Sequence, residues 1–246
     1  MLPIFSSIFH RNKWYRGLTL VYPPKYPKLS MDDDPNSNVL AFNGRKDVFV
    51  DIGASMGCVS LCAAVTGFKK VFAYEPNPAS FSCLKTNILQ NGYEKIVYAF
   101  PYGITSSSLS SMELCQGGEH AGQVGFYYKN KDNKSTFNTK TKRFVDVLKD
   151  AGAIDFLKVD IEAGEFDIFR RSEEVRNALN NVGAIDIELH APTNHEYFDE
   201  TLKFETYNNE DACHELIQFL INCGFVVSKK KITGQNEEGK YFLIRE

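Results

Sequence analysis

From residue 47 onward the chain alternates between two hydrophobic patterns. Short, largely apolar runs at 48–52, 70–74, 95–100, 156–161 and 184–189 have the length of strands buried on both faces. The segments between them carry apolar residues at helical spacing. Residues 58–66 are small and apolar and stop at Gly67, which suits a helix with a glycine C-cap. Asn77-Pro78 supplies an N-cap and a first-turn proline. The helix it opens shows Phe81, Leu84, Ile88 and Leu89 on one face and ends at Asn91-Gly92. Further helices are predicted over 144–151, over most of 165–180, and over 211–223 before Gly224. Two last strands, 225–227 and 241–244, are joined by a hairpin in which Lys229-Lys230-Lys231 forms a solvated face. Strands alternating with helices imply a parallel α/β sheet with right-handed crossovers and ligands at the carboxyl ends of its strands. The closing hairpin makes one strand antiparallel.

Two regions break this pattern. Residues 1–46 contain Pro3, Pro23, Pro24, Pro27 and Pro35, the run Asp32-Asp33-Asp34, and a basic-aromatic cluster from His10 to Arg16. They read as an N-terminal arm with one short helix, either a strap across the domain or a lid over its site. Residues 104–142 are polar, with alternating pieces at 111–115 and 122–128, and read as edge hairpins or a variable insertion. The remainder, 47–246, is expected to be one domain.

Composition narrows the partners. The 246 residues are 43% hydrophobic and 24% charged, enough for a real core. A net charge of −3 and a pI near 6.0 argue against nucleic acid as a partner and favour a small molecule. No apolar run approaches the roughly 18–20 residues of a membrane helix. Residues 1–9 are apolar but short, and Arg11, Lys13 and Arg16 follow them, so neither a signal peptide nor membrane contact is expected. Cys58, Cys62, Cys83, Cys115, Cys213 and Cys223 form no CxxC pair. Buried thiols and a cytoplasmic location are the expectation.

The first candidate site is Asp51-Ile52-Gly53-Ala54-Ser55-Met56-Gly57, at a strand-to-helix junction. Gly53 permits a tight turn and close approach of a ligand, and Gly57 permits close helix packing. A diphosphate would want the full GxGxxG pattern, whereas this loop has Ala54 and no second early glycine, and Asp51 would repel it. The same aspartate suits the ammonium group of a methionine moiety. Glu75 follows 24 residues later (75 − 51 = 24), at the end of the next strand, where an acid can accept both ribose hydroxyls. Pro76 and Asn77 open the helix behind it. Tyr102 and Gly103, after Pro101, flank the expected adenine position. Together these residues point to S-adenosylmethionine and away from an NAD-dependent oxidoreductase.

The second candidate site lies on two neighbouring strands. In Leu157-Lys158-Val159-Asp160-Ile161-Glu162, an extended chain sends Asp160 and Glu162 to one side. Ile187-Glu188-Leu189-His190 does the same for Glu188 and His190. Converging carboxylates would make His190 more basic.

These segments resemble the FkbM-like methyltransferases over roughly residues 47–190: the loop 51–57, the acid in Glu75-Pro76, the segment 156–169 and the strand ending in His190. The family pattern after the fourth strand is Lys-Ile-Asp-Val-Glu-Gly-Ala-Glu. This chain has Lys158-Val159-Asp160-Ile161-Glu162-Ala163-Gly164-Glu165, with glycine and alanine exchanged. The resemblance implies a Rossmann-like class I methyltransferase fold, a mostly parallel seven-stranded sheet with one antiparallel strand and helices on both faces. It also implies O-methylation of a hydroxyl on a sugar or small molecule. The protein must then align an acceptor oxygen and remove its proton. His190 is the expected base, oriented by Asp160 or Glu188, while Asp160 has the alternative of holding the cofactor's amino group. A variant that is not favoured has Asp160, Glu162, Glu188 and His190 bind a divalent metal. His195 is expected in a loop. A nucleic-acid methyltransferase is opposed by the acidic charge and by the lack of an Asn/Asp-Pro-Pro-aromatic motif. A cofactor-binding module without turnover is the remaining alternative.

Overall fold

In the computed structural model, which describes residues 10–13, 17–22, 37–116, 124–125, 136–191, 206–208, 210–234 and 236–246, the apolar runs become the middle of one sheet. The elements of the first half are β1 (His10–Lys13), β2 (Thr19–Tyr22), α1 (Ser37–Ala41), β3 (Val48–Ile52), α2 (Cys58–Val65), β4 (Lys70–Tyr74), α3 (Pro78–Gln90), β5 (Val97–Phe100), β6 (Tyr102–Thr105) and β7 (Ser111–Gln116). The second half has β8 (Val124–Gly125), β9 (Thr136–Arg143), α4 (Phe144–Ala151), β10 (Phe156–Val159), α5 (Glu165–Ile168), α6 (Glu173–Leu179), β11 (Ala184–Leu189), α7 (Ala212–Asn222), β12 (Phe225–Ile232) and β13 (Gly239–Arg245).

The seven-stranded sheet has the order β12-β13-β11-β10-β3-β4-β5, and β13 runs antiparallel to both its neighbours. The other pairings are parallel. This is the predicted α/β architecture, mostly parallel with one antiparallel strand. One face buries Val50, Ile52, Leu157, Val159, Ile185 and Ile187 against α4, α6 and α7. The other buries Phe49, Val71, Phe156 and Ala184 with residues of α1, α2 and α3. Helices therefore cover both faces, as the alternation requires.

Several boundaries differ from the sequence expectation, each for a local reason. Residues 165–180 split into α5 and α6 because Ser172 is extended (φ −123°, ψ 155°) and accepts a hydrogen bond from Val175 N–H, capping a new helix. β10 stops at Val159, since left-handed backbone at Glu162 (φ 54°) and Ala163 (φ 69°) ends any extension. Lys229–Lys231 lie within β12, an exposed edge strand where lysines discourage further pairing. Residues 102–143 contribute a separate sheet, β6-β9-β7-β8, instead of hairpins on the main one. It is tied back by Asp167, which accepts hydrogen bonds from Thr105 Oγ1 (2.7 Å) and Ser106 N–H (2.8 Å).

The described part of the arm packs on the α2–α3 side, with Leu20 and Val39 fully buried. Asn87 of α3 acts as a substitute strand edge. Its Oδ1 accepts from Val21 N–H (2.6 Å), and its Nδ2 donates to Val21 O and to Met56 O, both at 2.9 Å. One side chain thus joins the arm to the loop after β3. His195 and most of 122–128 lie outside the described residues. No described helix is long and apolar enough to cross a membrane, and the six cysteines are free thiols.

Candidate active site

The loop after β3 bends over the end of β4. Gly53 and Ala54 N–H both donate to Tyr74 O (3.1 and 3.0 Å), Ser55 N–H to Glu75 Oε2 (2.7 Å), and Gly57 N–H to Ala54 O (2.8 Å). Amides that would cradle a diphosphate are therefore already bonded to Tyr74, Glu75 and Ala54. Gly53 (φ 82°) and Gly57 (φ 93°) are both left-handed. A β-carbon at Gly57 would come within 2.5 Å of Leu84 Cδ1, so this glycine serves helix packing as expected. One at Gly53 would lie 1.9 Å from the backbone oxygen of Asp160. The space at Gly53 is needed by the end of β10, which corrects the expectation that it admits a ligand.

Glu75 lies at the lip of this loop. Its Oε1 accepts from Asn77 N–H at 2.8 Å, and Ser55 N–H holds Oε2. A carboxylate has about four acceptor positions, so both oxygens keep capacity for hydroxyl donors. Burial pushes its pKa up to about 7, against the pull of the two amides. Pro76 follows, half-buried, and Asn77 caps α3 by accepting from Ala79 N–H (2.9 Å) and Ser80 N–H (3.3 Å). Such a cap contributes about 1 kcal/mol. Tyr102 and Gly103 begin β6 directly after β5, and Tyr102 packs partly buried against the α4-side core.

Asp51 does not face an open crevice. It has no exposed surface. Its Oδ2 accepts from Ser60 Oγ (2.6 Å), and its Oδ1 is 3.5 Å from Lys158 Nζ. The ammonium that the sequence assigned to a ligand is supplied by the protein itself. This corrects the direct ligand contact expected of Asp51, and the cause is the strand pleat, which sends the side chain under α2. Burial raises the Asp51 pKa, opposed by Lys158 and Ser60. Lys158 Nζ also donates to Gly53 O (2.8 Å) and lies 3.4 Å from Asp160 Oδ2. Burial disfavours its charge, but Asp160, Asp51 and Glu188 outweigh that and hold its pKa above the ordinary lysine value.

The candidate catalytic cluster brings together three of the four expected groups. His190 Nε2 stands 3.9 Å from both Asp160 Oδ1 and Glu162 Oε2, and its Nδ1 stands 3.4 Å from Glu165 Oε1. Asp160 and Glu162 converge through a turn with positive φ at Glu162 and Ala163, not through the extended chain anticipated. Glu188 is the exception. It pairs at 2.9 Å with Lys240, directly opposite on β13, and stands apart from the three-residue cluster. Glu165, not Glu188, is the carboxylate beside His190 Nδ1.

Burial works against a charged His190 ring, but Glu165, Asp160 and Glu162 more than offset it and push its pKa up to about 10. Burial also opposes the Asp160 charge, yet Lys158, His190 and Lys240 hold this carboxyl below its ordinary range. A ring so protonated is not by itself a free base at neutral pH.

Sequence reasoning missed the parts played by Lys158, Ser60 and Glu165. Lys158 left a signal, since a charge at a period-2 position of a buried strand demands an opposite charge nearby. Glu165 and Ser60 left none, because an acid at a helix start and a serine in an apolar helix are both common.

With this geometry in place, comparison with known proteins is informative. Among curated proteins none matches the sequence. The ribosomal protein L11 methylase of Lactobacillus delbrueckii subsp. bulgaricus superposes with a TM-score of 0.51 at 14% identity, covering 92% of this chain and 84% of that one. A tRNA methyltransferase of M. jannaschii gives 0.51 at 15% identity, covering 97% of this chain and 57% of that one. Methanocaldococcus jannaschii Trm5 in complex with adenosine gives 0.50 at 16% identity, covering 97% and 55%. At such identities these likenesses establish the fold. The model of the methyltransferase FkbM domain matches residues 51–227, from the end of β3 into β12. The chain belongs to the FkbM methyltransferase domain family.

Proposed function

We propose that the protein is an S-adenosylmethionine-dependent O-methyltransferase acting on a hydroxyl of a small molecule or sugar. The observation that carries this reading is the meeting of Asp160, Glu162 and His190 beside the loop that Gly53 opens. Bound S-adenosylmethionine would supply an electrophilic methyl group on a sulfonium. Its fit rests on the loop's internally satisfied amides, which disfavour a diphosphate, and on Glu75, whose fixed oxygens suit ribose hydroxyls. The loop 53–57 would lie beneath the cofactor, Tyr102 and Gly103 would flank its adenine, and Asp160 would face both its amino-acid end and the acceptor.

The residues at the ends of β10 and β11 have two tasks. They fix the acceptor oxygen in line, and they take the hydroxyl proton as its oxygen becomes nucleophilic. Glu165 orients His190, and Lys158 keeps Asp160 ionised. The segment Asp160-Ile161-Glu162-Ala163 offers carboxylates and none of the proline-aromatic contacts that hold a planar amine, which favours a hydroxyl. The acidic net charge favours a small acceptor.

Calorimetry with S-adenosylmethionine, S-adenosylhomocysteine and NADH tests the cofactor. Both sulfur nucleosides should bind, and binding of NADH alone would overturn the assignment. A screen of hydroxylated and aminated metabolites for a one-methyl mass increment tests the acceptor. Methylation confined to amines would sink the O-methyl reading.

A further inference from the structure

We propose that the outer edge of β5, with the apolar groove between it and α3, is an interface at which a second copy of this chain docks edge to edge about a two-fold axis. The seven-stranded sheet ends in two edge strands, β12 and β5, and their chemistry differs. On β12 three consecutive lysines, Lys229 to Lys231, are exposed and discourage further pairing. β5 reads Val97-Tyr98-Ala99-Phe100, with no charge and no proline within it. An edge of that kind is a template for another strand.

Its main chain is open at one residue. Val71 N–H donates to Ile96 O (2.9 Å) and Glu75 N–H to Phe100 O (3.1 Å), so even-numbered positions of this strand face β4 and odd-numbered ones face outward. Val97 N–H turns back to Tyr93 O (2.8 Å). Ala99 N–H and C=O have no partner among the described residues. Beside this edge lies a groove of about 370 Å³, lined by Ile88 and Leu89 of α3 and by Val97, Tyr98 and Phe100. Leu89 is 60% exposed and Tyr98 41%. Tyr98 is held by stacking on Phe72, with 5.8 Å between ring centres, and by its hydroxyl, which donates to Lys95 O at 3.1 Å. A ring already fixed loses little further freedom on association.

Charge selects a copy of the same chain as the occupant. Lys85 and Glu94 also line the groove, on either side of Leu89 in the sequence. Neither forms an ion pair among the described residues, and Lys85 Nζ lies 5.0 Å from the centre of the Phe81 ring. The groove is therefore self-complementary, with an unpaired cation and an unpaired anion flanking one apolar surface. In a two-fold contact residue i meets j and j meets i. Antiparallel pairing centred on Ala99 lets the two copies exchange the N–H and C=O of that residue, and it sets Tyr98 of each copy opposite Phe100 of the other. Lys85 of each copy then approaches Glu94 of the other. The strand is short, so the Ala99 pair fixes register while Leu89 and the aromatic rings supply an apolar centre inside a charged rim. Such a contact consumes the open edge and closes at a dimer.

Sedimentation velocity and light scattering on the 246-residue chain over a dilution series test this. A species of twice the 27.8 kDa chain mass is expected. Lys85→Glu or Glu94→Lys alone sets like charges together at two symmetric places and should weaken association at least about tenfold, while the two combined should restore it. Ala99→Pro removes only an N–H that faces away from β4, so it should give a monomer with the urea midpoint of the parent. Leu89→Asn, at a position the single chain leaves exposed, should separate the copies without any demand on the fold. A parent chain that is monomeric at every concentration overturns the proposal, and so does a dimer undiminished by both Ala99→Pro and Leu89→Asn. A double charge reversal no stronger than the single ones overturns the pairing of Lys85 with Glu94. Oligomeric state is read here without cofactor or acceptor, so the outcome is independent of the methyltransferase reading.

Discussion

The two faces of the central sheet have the same strands and opposite chemistry. Toward α4, α6 and α7 every central residue is apolar, from Val50 and Ile52 through Leu157 and Val159 to Ile185 and Ile187, each at most 1% exposed. Toward α1 and α2, the positions between them include Asp51, Lys158 and Asp186, aligned in one register row, with Glu188 and Lys240 paired one pleat further along. The first face is a hydrophobic core, held by area removed from water. The second can bury charge only because each row alternates in sign, with Ser60 bonded to Asp51 and Asn38 to Asp186. That row leads upward to Asp160 and His190, where charge meets solvent. Both faces bury apolar residues, and only the second also carries the charged row that ends at the candidate site.

Cutting the charged row should have the largest effect. Lys158→Met leaves Asp51 buried beside no cation and should cost about 3–5 kcal/mol in urea unfolding. Adding Asp51→Asn should recover a large part of that loss. If the single variant is as stable as the parent, the row does not hold this face together. Leu157→Ala, one residue away on the apolar face, should cost about 2–5 kcal/mol with no partner able to rescue it.

At the upper end of the row the effect should fall on turnover. Glu162→Gln should lower kcat by roughly 10²–10⁴-fold with little change in unfolding midpoint, because it removes proton transfer and leaves packing intact. A parallel fall in stability would mean that the two ends of the row are not functionally distinct.

Glu75 provides a milder, pH-dependent contrast. Its pKa near 7 means that below this pH the folded protein carries it protonated. Ribose hydroxyls donate to the ionised form, so nucleoside affinity should rise as pH increases through about 7, and Glu75→Gln should flatten that profile. The sign for stability is opposite. A raised folded pKa stabilises the fold at low pH, and this contribution fades as pH climbs from the ordinary carboxylate range to about 7. Calorimetry at pH 6 and pH 8 on both proteins decides the matter.

The smallest effect expected is a gain. Ala163 adopts φ 69° where the family pattern has glycine, a conformation that costs a residue with a side chain roughly 1–2 kcal/mol. Ala163→Gly should therefore stabilise the protein by about 1 kcal/mol, or about 2–4 °C in Tm. A lower Tm would show that the left-handed turn after Glu162 is not strained.

How much of this was legible in the chain varies by region. Strands 70–74 and 184–189 and helix 144–151 match the structure residue for residue, because largely apolar runs and glycine stops act locally. The glycine loop and Glu75 were found for the same reason, since they lie at strand-to-helix junctions that the pattern marks. The break at Ser172 was missed because a serine inside a helical pattern signals a cap only when the chain around it is extended.

By itself, the sequence determined the order of strands and helices, the antiparallel ending and the carboxylates grouped near His190, all through periodicity and residue type. Only the tertiary structure decided which charge answers which. Asp51 and Lys158 are 107 positions apart (158 − 51 = 107) and meet because β3 and β10 pair in a register that places them side by side. Glu188 is drawn to Lys240 by the antiparallel register of β13, while Glu165 reaches His190 across a turn. Electrostatic partnership depends on distances of a few ångströms, and those are fixed by strand pairing and by the turns between elements, not by position along the chain.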